Sequence, residues 1–522
     1  MSQPPILRPK VAYGLAVAAG VVNALAVPGY DLWPLSFFAW VPFIVALRGQ
    51  TPRQAAKLGW LAGFSFCVVG FYWLRNVLIV FAEMPEPVPS LLMVVLCAYQ
   101  AGRLALCGWL YGRLTDKGWP HLPVFAGAFV VAELVFPQLF PWYFGNNTYV
   151  ALPLMQVAEL GGPYLTGLVL LAPNLALAEV VDWWRRPEGE RPSRPRLAPI
   201  VAGLSIPIVA ALYGFVRIAQ VRAEQETAES LTVALVQANQ PLKKDKGVTL
   251  DAHWRLSERA AEEQRDVELI VWSEGGVTVN IKKNDNAEIK DRVALPIGRP
   301  AIIGALLRKK LPKGSRWPRK STTSAVMTTA SGDVTSRYDK RYLLMFGEYL
   351  PFGELFPVLY DLSPNSSHLT EGTSLAPLRL GPHRLSTTIC YEDIIPSYVN
   401  EMMRVHRPDL MVNLTNDAWF GDSLEPIQHL ALATMRAVEQ RRYLVRSTNS
   451  GLSAIVDATG RIVTRGDTFE EDVLHGRARY LTGGTVYRVL GDMPWWALAI
   501  ALFGLAFFPR QPYAAHPSRN SD

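Results

Sequence analysis

The chain has 522 residues, of which 50% are hydrophobic and only 19% charged, and its length allows roughly three domains. Much of its formal net charge of +7 sits in short loops between apolar stretches, where membrane topology accounts for it, so nucleic acid is not an expected partner. The eight histidines are scattered, with no His-Glu-x-x-His and no Cys-x-x-Cys pair, so no metal site is expected either.

From Val11 to Val216 the chain is a series of apolar stretches: 11–27, 33–47, 57–81, 89–112, 122–137, 162–182 and 198–216. An eighth, 494–508, closes the chain. Several approach the ~20 residues that a helix needs to cross ~30 Å of hydrocarbon. Segments 33–47, 122–137 and 494–508 are short enough to be interfacial or re-entrant, so seven crossings before residue 217 compete with six. The first segment lacks a clean small-residue cleavage site and runs at once into more apolar chain, unlike a secretory signal.

Loop charge gives the orientation. Arg8 and Lys10 precede the first segment; Arg48, Arg53 and Lys57 fill the second loop, Arg113 and Lys117 the fourth, and five arginines the stretch 185–196. The first loop (28–33), the third (with Glu83 and Glu86) and the fifth (138–161) carry no basic residue. By the positive-inside rule the basic loops are cytoplasmic, the segment from 217 to 492 faces the other side, and Arg510 and Arg519 lie inside again.

Residues 217–492 read as a soluble α/β domain. "LTVALVQANQ" (231–240) alternates like a strand, "AHWRLSERAAEEQ" (252–264) has a polar helical face, and "VELIVWSEGG" (267–276) is a buried strand ending in Glu274. Lys340 ends "GDVTSRYDK" (332–340) and Cys390 ends "RLSTTIC" (384–390) in the same way. A lone cysteine is ordinarily a small buried hydrophobe, and a lone Glu or Lys a salt-bridge partner. Three different functional groups that each end a strand-like run suit a nucleophile, a base and an oxyanion partner better. A strand-to-helix turn at Cys390 is expected to favour its thiolate. The other cysteines, Cys67, Cys97 and Cys107, lie in apolar segments and read as packing residues; a second thiol beside Cys390 could trap it as a disulfide.

The segments "WSE" (272–274), "YDKRYLLMFGEYLPF" (338–352), "ICYE" (389–392) and "NLTNDAWFG" (413–421) resemble the nitrilase superfamily of Glu-Lys-Cys enzymes. Within it they are similar to the membrane-embedded apolipoprotein N-acyltransferase family. That likeness extends to "VPGYDLWPLSFFAWVPF" (27–43), "FPWYFGNNTY" (140–149), "PLMQVAELGGPYLTGLVLL" (153–171) and "RAVEQRRYLVRSTNSGLSAIVDATG" (436–460). It implies a polytopic α-helical membrane domain of about eight spans plus a nitrilase-like α-β-β-α sandwich. The expected limits are 1–216 for the membrane domain, 217–492 for a periplasmic catalytic domain, and 493–522 for a last span and cytoplasmic tail.

The resemblance makes Glu274 the general base, Lys340 the oxyanion stabiliser and Cys390 the nucleophile, with Glu348, Tyr391 and Glu392 in support. Trp419 and Phe420 match a mobile loop at the substrate entrance. Ser273 and Met345 stand where the family usually has proline, which bears on backbone geometry and not on reacting groups. The implied reaction is ping-pong transfer of an acyl chain from a phospholipid, typically phosphatidylethanolamine, to the amino group of a diacylglyceryl-cysteine that begins an apolipoprotein. No metal or organic cofactor is implied, and the implied location is the inner membrane. Residues 351–378 and the loop at Trp419-Phe420 are candidate covers that keep water from the thioester, though the first stretch could be a plain surface loop. Two other readings stay open at this point: a membrane-tethered amidase with the same triad, and a catalytically silent lipid- or lipoprotein-binding module.

Overall fold

The computed structural model describes residues 6–80, 84–241, 246–282, 285–293, 298–362 and 366–508. Glu83, Arg510 and Arg519, which enter the topology argument, lie outside the described residues, as do 363–365 of the first candidate cover.

Each of the seven apolar segments before the α/β domain is helical. In order come α1 (Pro9–Ala24), α2 (Val41–Ala46, after the 3-10 turn Trp33–Phe37), α3 (Pro52–Gly70), α4 (Leu74–Val80), α5 (Val88–Gln100), α6 (Gly102–Asp116), α7 (His121–Val135), α8 (Leu152–Met155), α9 (Ala158–Trp184) and α10 (Leu197–Thr227). Among the described residues, three helical stretches are long and apolar enough to cross a membrane: Val88–Asp116, α9 and α10. The pair α3 and α4, bent by 52°, makes a fourth. Helix α7 has 15 residues, about 23 Å against ~30 Å of hydrocarbon. Length and composition therefore give three to four spans, short of the eight that hydropathy suggests.

Small residues set the spacing of these helices. A Cβ at Gly59 of α3 would stand 2.0 Å from the Leu104 carbonyl oxygen of α6, and one at Gly108 of α6 would stand 2.2 Å from that of Ala55. A Cβ at Gly63 or Gly112, one turn further along, would stand 2.8 Å from the Cα of Ala101 or Pro52. Two Gly-x-x-x-Gly faces thus let the backbones touch, which is how helices gain packing where apolar surroundings remove the hydrophobic drive.

The α/β part contains strands β1 (Ser230–Gln237), β2 (Leu269–Trp272), β3 (Val277–Ile281), β4 (Ala301–Lys310), β5 (Arg319–Thr328), β6 (Val334–Asp339), β7 (Leu378–Leu380), β8 (His383–Ile389), β9 (Leu410–Thr415), β10 (Leu444–Thr448), β11 (Ala454–Val456), β12 (Ile462–Arg465) and β13 (Asp472–Arg479). They form two sheets, ordered β13-β1-β2-β4-β5-β6 with β3 beside β4, and β12-β11-β10-β9-β8-β7. Each has a parallel centre, β1-β2-β4 and β8-β9-β10, with antiparallel flanks. Val233, Leu235, Val271 and Ile302 of the first sheet pack against Ile389, Val412, Val445 and Ile455 of the second. Helices α11 (Lys246–Glu263) and α12 (Asp285–Val293) cover one outer face; α14 (Pro396–His406) and α15 (Glu425–Gln440), which follow the short α13 (Val358–Leu362), cover the other. The result is a helix–sheet–sheet–helix sandwich. Because both faces are covered, β2 reads as an unbroken apolar run, Leu-Ile-Val-Trp, with all four residues buried.

Helix α10 continues past residue 216 to Thr227 and delivers the chain directly into β1. After β13 come the short α16 (Val486–Leu490) and the apolar α17 (Met493–Phe507). Polar contacts join the two halves. Glu159 of α9 accepts from Arg217 Nε and from Arg441 Nε, each at 2.7 Å. Trp73, at the break between α3 and α4, donates to Gln428 of α15 at 2.9 Å, and Gln428 donates back to the Gly70 carbonyl at 3.1 Å.

Candidate active site

Glu274 follows β2 by two residues, at the carboxyl end of a parallel strand, where open α/β sheets place ligands. Its backbone lies against β4 so closely that a Cβ at Gly304 would stand 2.0 Å from the Ser273 carbonyl oxygen. Gly275 completes the turn at φ +67°. Ser273 leaves its buried hydroxyl with no hydrogen-bond partner among the described residues.

Lys340 follows β6 directly and is 1% exposed. Its Nζ donates to Glu348 Oε1 at 2.8 Å and to Glu274 Oε1 at 3.2 Å. Burial alone would push the ammonium down; the two carboxylates outweigh it and hold Lys340 well above its ordinary value. Burial pushes the Glu274 carboxyl up, with Lys340 pulling the other way. Glu348 closes its own loop, accepting the Leu344 N–H with Oε2 at 2.8 Å. Met345 pairs with Tyr349 across that loop, and Phe346 between them takes φ +66°.

Cys390 stands at a sharp corner. Strand β8 ends at Ile389, and the 3-10 turn Cys390–Ile394 begins with the cysteine at φ +52°. A side chain with a Cβ pays about 1–3 kcal/mol for that conformation. Two contacts hold it: Asn413 Nδ2 donates to the Cys390 carbonyl at 3.3 Å, and Glu392 Oε2 accepts the Ile389 N–H at 2.8 Å. The same Glu392 also accepts the N–H groups of Arg341 (2.7 Å) and Tyr342 (2.9 Å) and the Tyr338 hydroxyl (2.8 Å). It therefore ties the segment after Lys340 to the segment around Cys390. Burial pushes its carboxyl up to about 7, against those backbone donors.

The expectation that a helix N-terminus would favour the thiolate is corrected. The element that follows Cys390 is a single 3-10 turn, and burial, then the Glu274 charge, push the thiol well above its ordinary value, with Lys340 only partly opposing them. Both influences favour the neutral thiol over the thiolate. Nucleophilicity then depends on proton transfer to that carboxylate.

The cleft that opens on Cys390 is almost wholly apolar. Phe71, Trp73, Phe140 and Trp142 of the membrane half face Leu344, Ile394, Phe420 and Leu432 of the sandwich. Tyr391 reaches across, its hydroxyl donating to the Leu139 carbonyl at 3.2 Å. Trp419 and Phe420 belong to the 3-10 turn Asp417–Phe420 but differ in setting: Phe420 is buried, edge-on to Trp73 at 5.4 Å, whereas Trp419 is half-buried. In the stretch 351–378, Phe352, Leu355, Phe356 and Val358 are all exposed, forming an apolar patch and not a closed cover.

A second buried charge cluster lies beside Cys390 and carries no sequence motif. His429 contacts Asp417 through Nδ1 (3.1 Å) and Asp393 through Nε2 (3.0 Å), and Arg446 bonds Asp393 (2.6 Å), Asn413 (2.8 Å) and Asp417 (3.3 Å). Burial and Arg446 oppose charge on the imidazole, but the two aspartates prevail and raise it to about 10. Asp417, Glu425 and His429 bring possible metal-ligand atoms within 4.8 Å of one another. Both ring nitrogens are already committed to carboxylates and a guanidinium neutralises the same acids, so these donors do not suit a cation. Only the "NDAWFGDSLEPIQH" run (416–429) hints at the cluster, and its spacing matches no ligand motif.

Residues 19–176 match the apolipoprotein N-acyltransferase N-terminal domain family, and residues 232–478 match the carbon-nitrogen hydrolase family. The chain is 31% identical over 514 residues to an apolipoprotein N-acyltransferase of Geobacter metallireducens, covering 96% of each chain. It is 30% identical over 527 residues to one of Azotobacter vinelandii, again covering 96% of each. A crystal structure of Saccharomyces cerevisiae Nit3, of the nitrilase superfamily, aligns at 18% identity with a TM-score of 0.37, covering 48% of this chain and 90% of that one.

Proposed function

The chain belongs to the apolipoprotein N-acyltransferase family, acyltransferases of the carbon–nitrogen hydrolase superfamily, and from that premise we propose that Cys390 carries the acyl group from a membrane phospholipid to an apolipoprotein amine. The observation that carries the reading is the buried Glu274–Lys340–Glu348 cluster beside Cys390, opening on an apolar cleft walled by the membrane half.

In the first half-reaction the Cys390 thiol gives its proton to the Glu274 carboxylate as sulfur attacks the ester carbonyl of phosphatidylethanolamine. Lys340 Nζ stabilises the tetrahedral oxyanion. Collapse breaks the ester C–O bond, and Glu274 returns the proton to the departing lysophospholipid oxygen. In the second, the free amine of the diacylglyceryl-cysteine attacks the thioester carbonyl while Glu274 takes an amine proton. Collapse expels the Cys390 thiolate, which is reprotonated, and leaves an amide. Glu348 keeps Lys340 aimed, Glu392 and Tyr391 fix the corner, and Trp419 and Phe420 serve the entrance.

The cleft has a free volume of only about 30 Å³, room for roughly two waters, so an acyl chain enters only when its aromatic wall parts. The edge contact between Trp73 and Phe420 is the proposed opening, and it separates water from the thioester when shut. The exposed apolar patch at 352–358 would rest at the bilayer surface.

The wider assignment is proposed on the same footing: domains at 1–216, 217–492 and 493–522, about eight spans in the inner membrane, and the catalytic domain on the periplasmic side. The alternation of basic and base-free loops supports it. A thiol reagent that cannot cross membranes tests it in cells stripped of the outer barrier. A cysteine at Gly332 should be labelled and one at Gly189 should not; the reverse puts Cys390 in the cytoplasm and rejects the proposal. The activity itself is tested with purified protein, phosphatidylethanolamine and a diacylglyceryl-cysteine peptide. N-acylated peptide is expected; free fatty acid alone would reassign the site as a hydrolase.

A further inference from the structure

Of the polar residues that line the cleft and that the reaction above leaves unused, Gln428 is bonded to Trp73 and Gly70 and His429 to two aspartates, which leaves Glu425. It is the first residue of α15, it is 6% exposed, and its side chain lines the same apolar cleft as Cys390 and Phe420. Its Oε1 faces His429 Nδ1 at 3.5 Å, while Oε2 is buried with no hydrogen-bond partner among the described residues.

Charge counting fixes its state. The groups it meets are Asp393, Asp417, His429, Arg446 and, across the cleft, Cys390. Two aspartates and two cations already balance, so an ionised Glu425 would leave one uncompensated negative charge against Phe71, Trp73 and Leu432. Burial, and then the Asp417 charge, hold it well above the ordinary carboxyl range, as that count requires. His429 Nδ1, whose N–H is taken by Asp417 Oδ1 at 3.1 Å, still places its charge 3.5 Å from Oε1, so the carboxyl proton resides on Oε2, the oxygen without a partner. A buried, unpartnered donor on a residue that lines a substrate cleft calls for an acceptor on the substrate.

We propose that Glu425 is a specificity-determining residue whose carboxyl donates a hydrogen bond to a glyceryl-ester oxygen of the lipid in the cleft. The assignment rests on the acyltransferase reading above. Glyceryl ester is the chemistry shared by a phospholipid donor and a diacylglyceryl-cysteine acceptor, and the cleft itself otherwise offers little besides apolar contact.

The experiment uses the full chain in detergent micelles, with Glu425→Leu and Glu425→Gln beside wild type. Gln keeps a neutral donor; Leu fills the site without one and suits its apolar wall. Acylation of Cys390 is followed by intact mass against the concentration of phosphatidylethanolamine and, separately, of p-nitrophenyl palmitate, which has no glycerol. Transfer from the thioester to a diacylglyceryl-cysteine peptide forms a third arm. Glu425→Leu should raise the half-saturating glyceryl lipid about tenfold with little change in the maximal rate, the effect of one lost hydrogen bond. Glu425→Gln should stay within about twofold of wild type, and the glycerol-free ester should react alike in all three proteins. A loss in the donor arm alone assigns the contact to phospholipid, and a loss in the acceptor arm alone assigns it to the peptide lipid. Unchanged saturation in both arms overturns the proposal. So does an equal loss on p-nitrophenyl palmitate, which would mean that Glu425 acts through the charges behind Cys390, or an equal loss in Glu425→Gln, which would mean an ionised acceptor. Failure of wild type to acylate Cys390 from either ester would instead strike the acyltransferase reading itself.

Discussion

Two buried charge clusters border Cys390, and they are built to opposite ends. Around Lys340 a single cation serves two carboxylates, Glu274 and Glu348, so the group is short of positive charge and Glu274 is poised to take up a proton. Around His429 two cations, imidazolium and Arg446, meet two aspartates, and nearly every hydrogen-bonding edge that faces inward is spoken for. An imbalance at a buried site makes protons easy to move, and a balance makes them hard to move. The first cluster is therefore suited to chemistry and the second to holding the corner behind the nucleophile through Asn413.

Removing a cation from each side should separate the two roles. Arg446→Met leaves two aspartates facing one imidazolium and should cost about 3–5 kcal/mol of stability, read as a lowered unfolding midpoint, because an uncompensated charge stays buried. Lys340→Met also leaves buried carboxylates, but Glu274, whose carboxyl burial already pushes up, can take a proton in the cation's place. The melting profile should therefore stay nearer wild type while both half-reactions slow by about 10²–10³-fold, the cost of losing one oxyanion donor. A Lys340 variant with normal transfer but weak lipid binding would move that residue to head-group recognition.

pH should divide them further. His429 has a folded-state value of about 10 against an ordinary 6.5. Its contribution is thus fully present below the lower value and is lost as pH rises through the higher one. The melting temperature of wild type should fall steadily between those limits, and that of His429→Gln should fall less; parallel slopes would remove the imidazolium from the account. The smallest effect expected is at Ser273. Its hydroxyl is buried and unpartnered, so Ser273→Ala should hold or raise stability by up to about 1–3 kcal/mol, and transfer should be unchanged.

The reactive cluster was legible in the sequence for a physical reason. Strand β2, covered on both faces, reads as an unbroken apolar run that ends just before Glu274, and Lys340 and Cys390 likewise end strand-like runs, β6 and β8. The balanced cluster was not, because Asp393, Asp417, His429 and Arg446 come from a 3-10 turn, another 3-10 turn, α15 and β10, with no local spacing to betray them. The docking of Trp73 on Gln428 joins residues 355 apart and leaves no trace in either segment alone. Hydropathy found where helix would form in the membrane half, but not that α3 and α4 break at 71–73 or that α7 stops after 15 residues, before Pro137, which is why length singles out fewer helices. The state of the Cys390 thiol is not legible in the sequence, because the helix-like run after it begins only at Pro396, beyond a 3-10 turn, and because the thiol is deeply buried.

The central claim is that the unbalanced cluster makes Cys390 the residue that carries the acyl group. The most direct measurement is peptide-mapped mass spectrometry of the full chain after incubation with phosphatidylethanolamine, run beside Cys390→Ser and Glu274→Gln. The account predicts a hydroxylamine-labile acyl mass on the peptide containing Cys390 in wild type, and none in either variant although both remain folded. An acyl group on any other residue, or an undiminished thioester in Glu274→Gln, would contradict it.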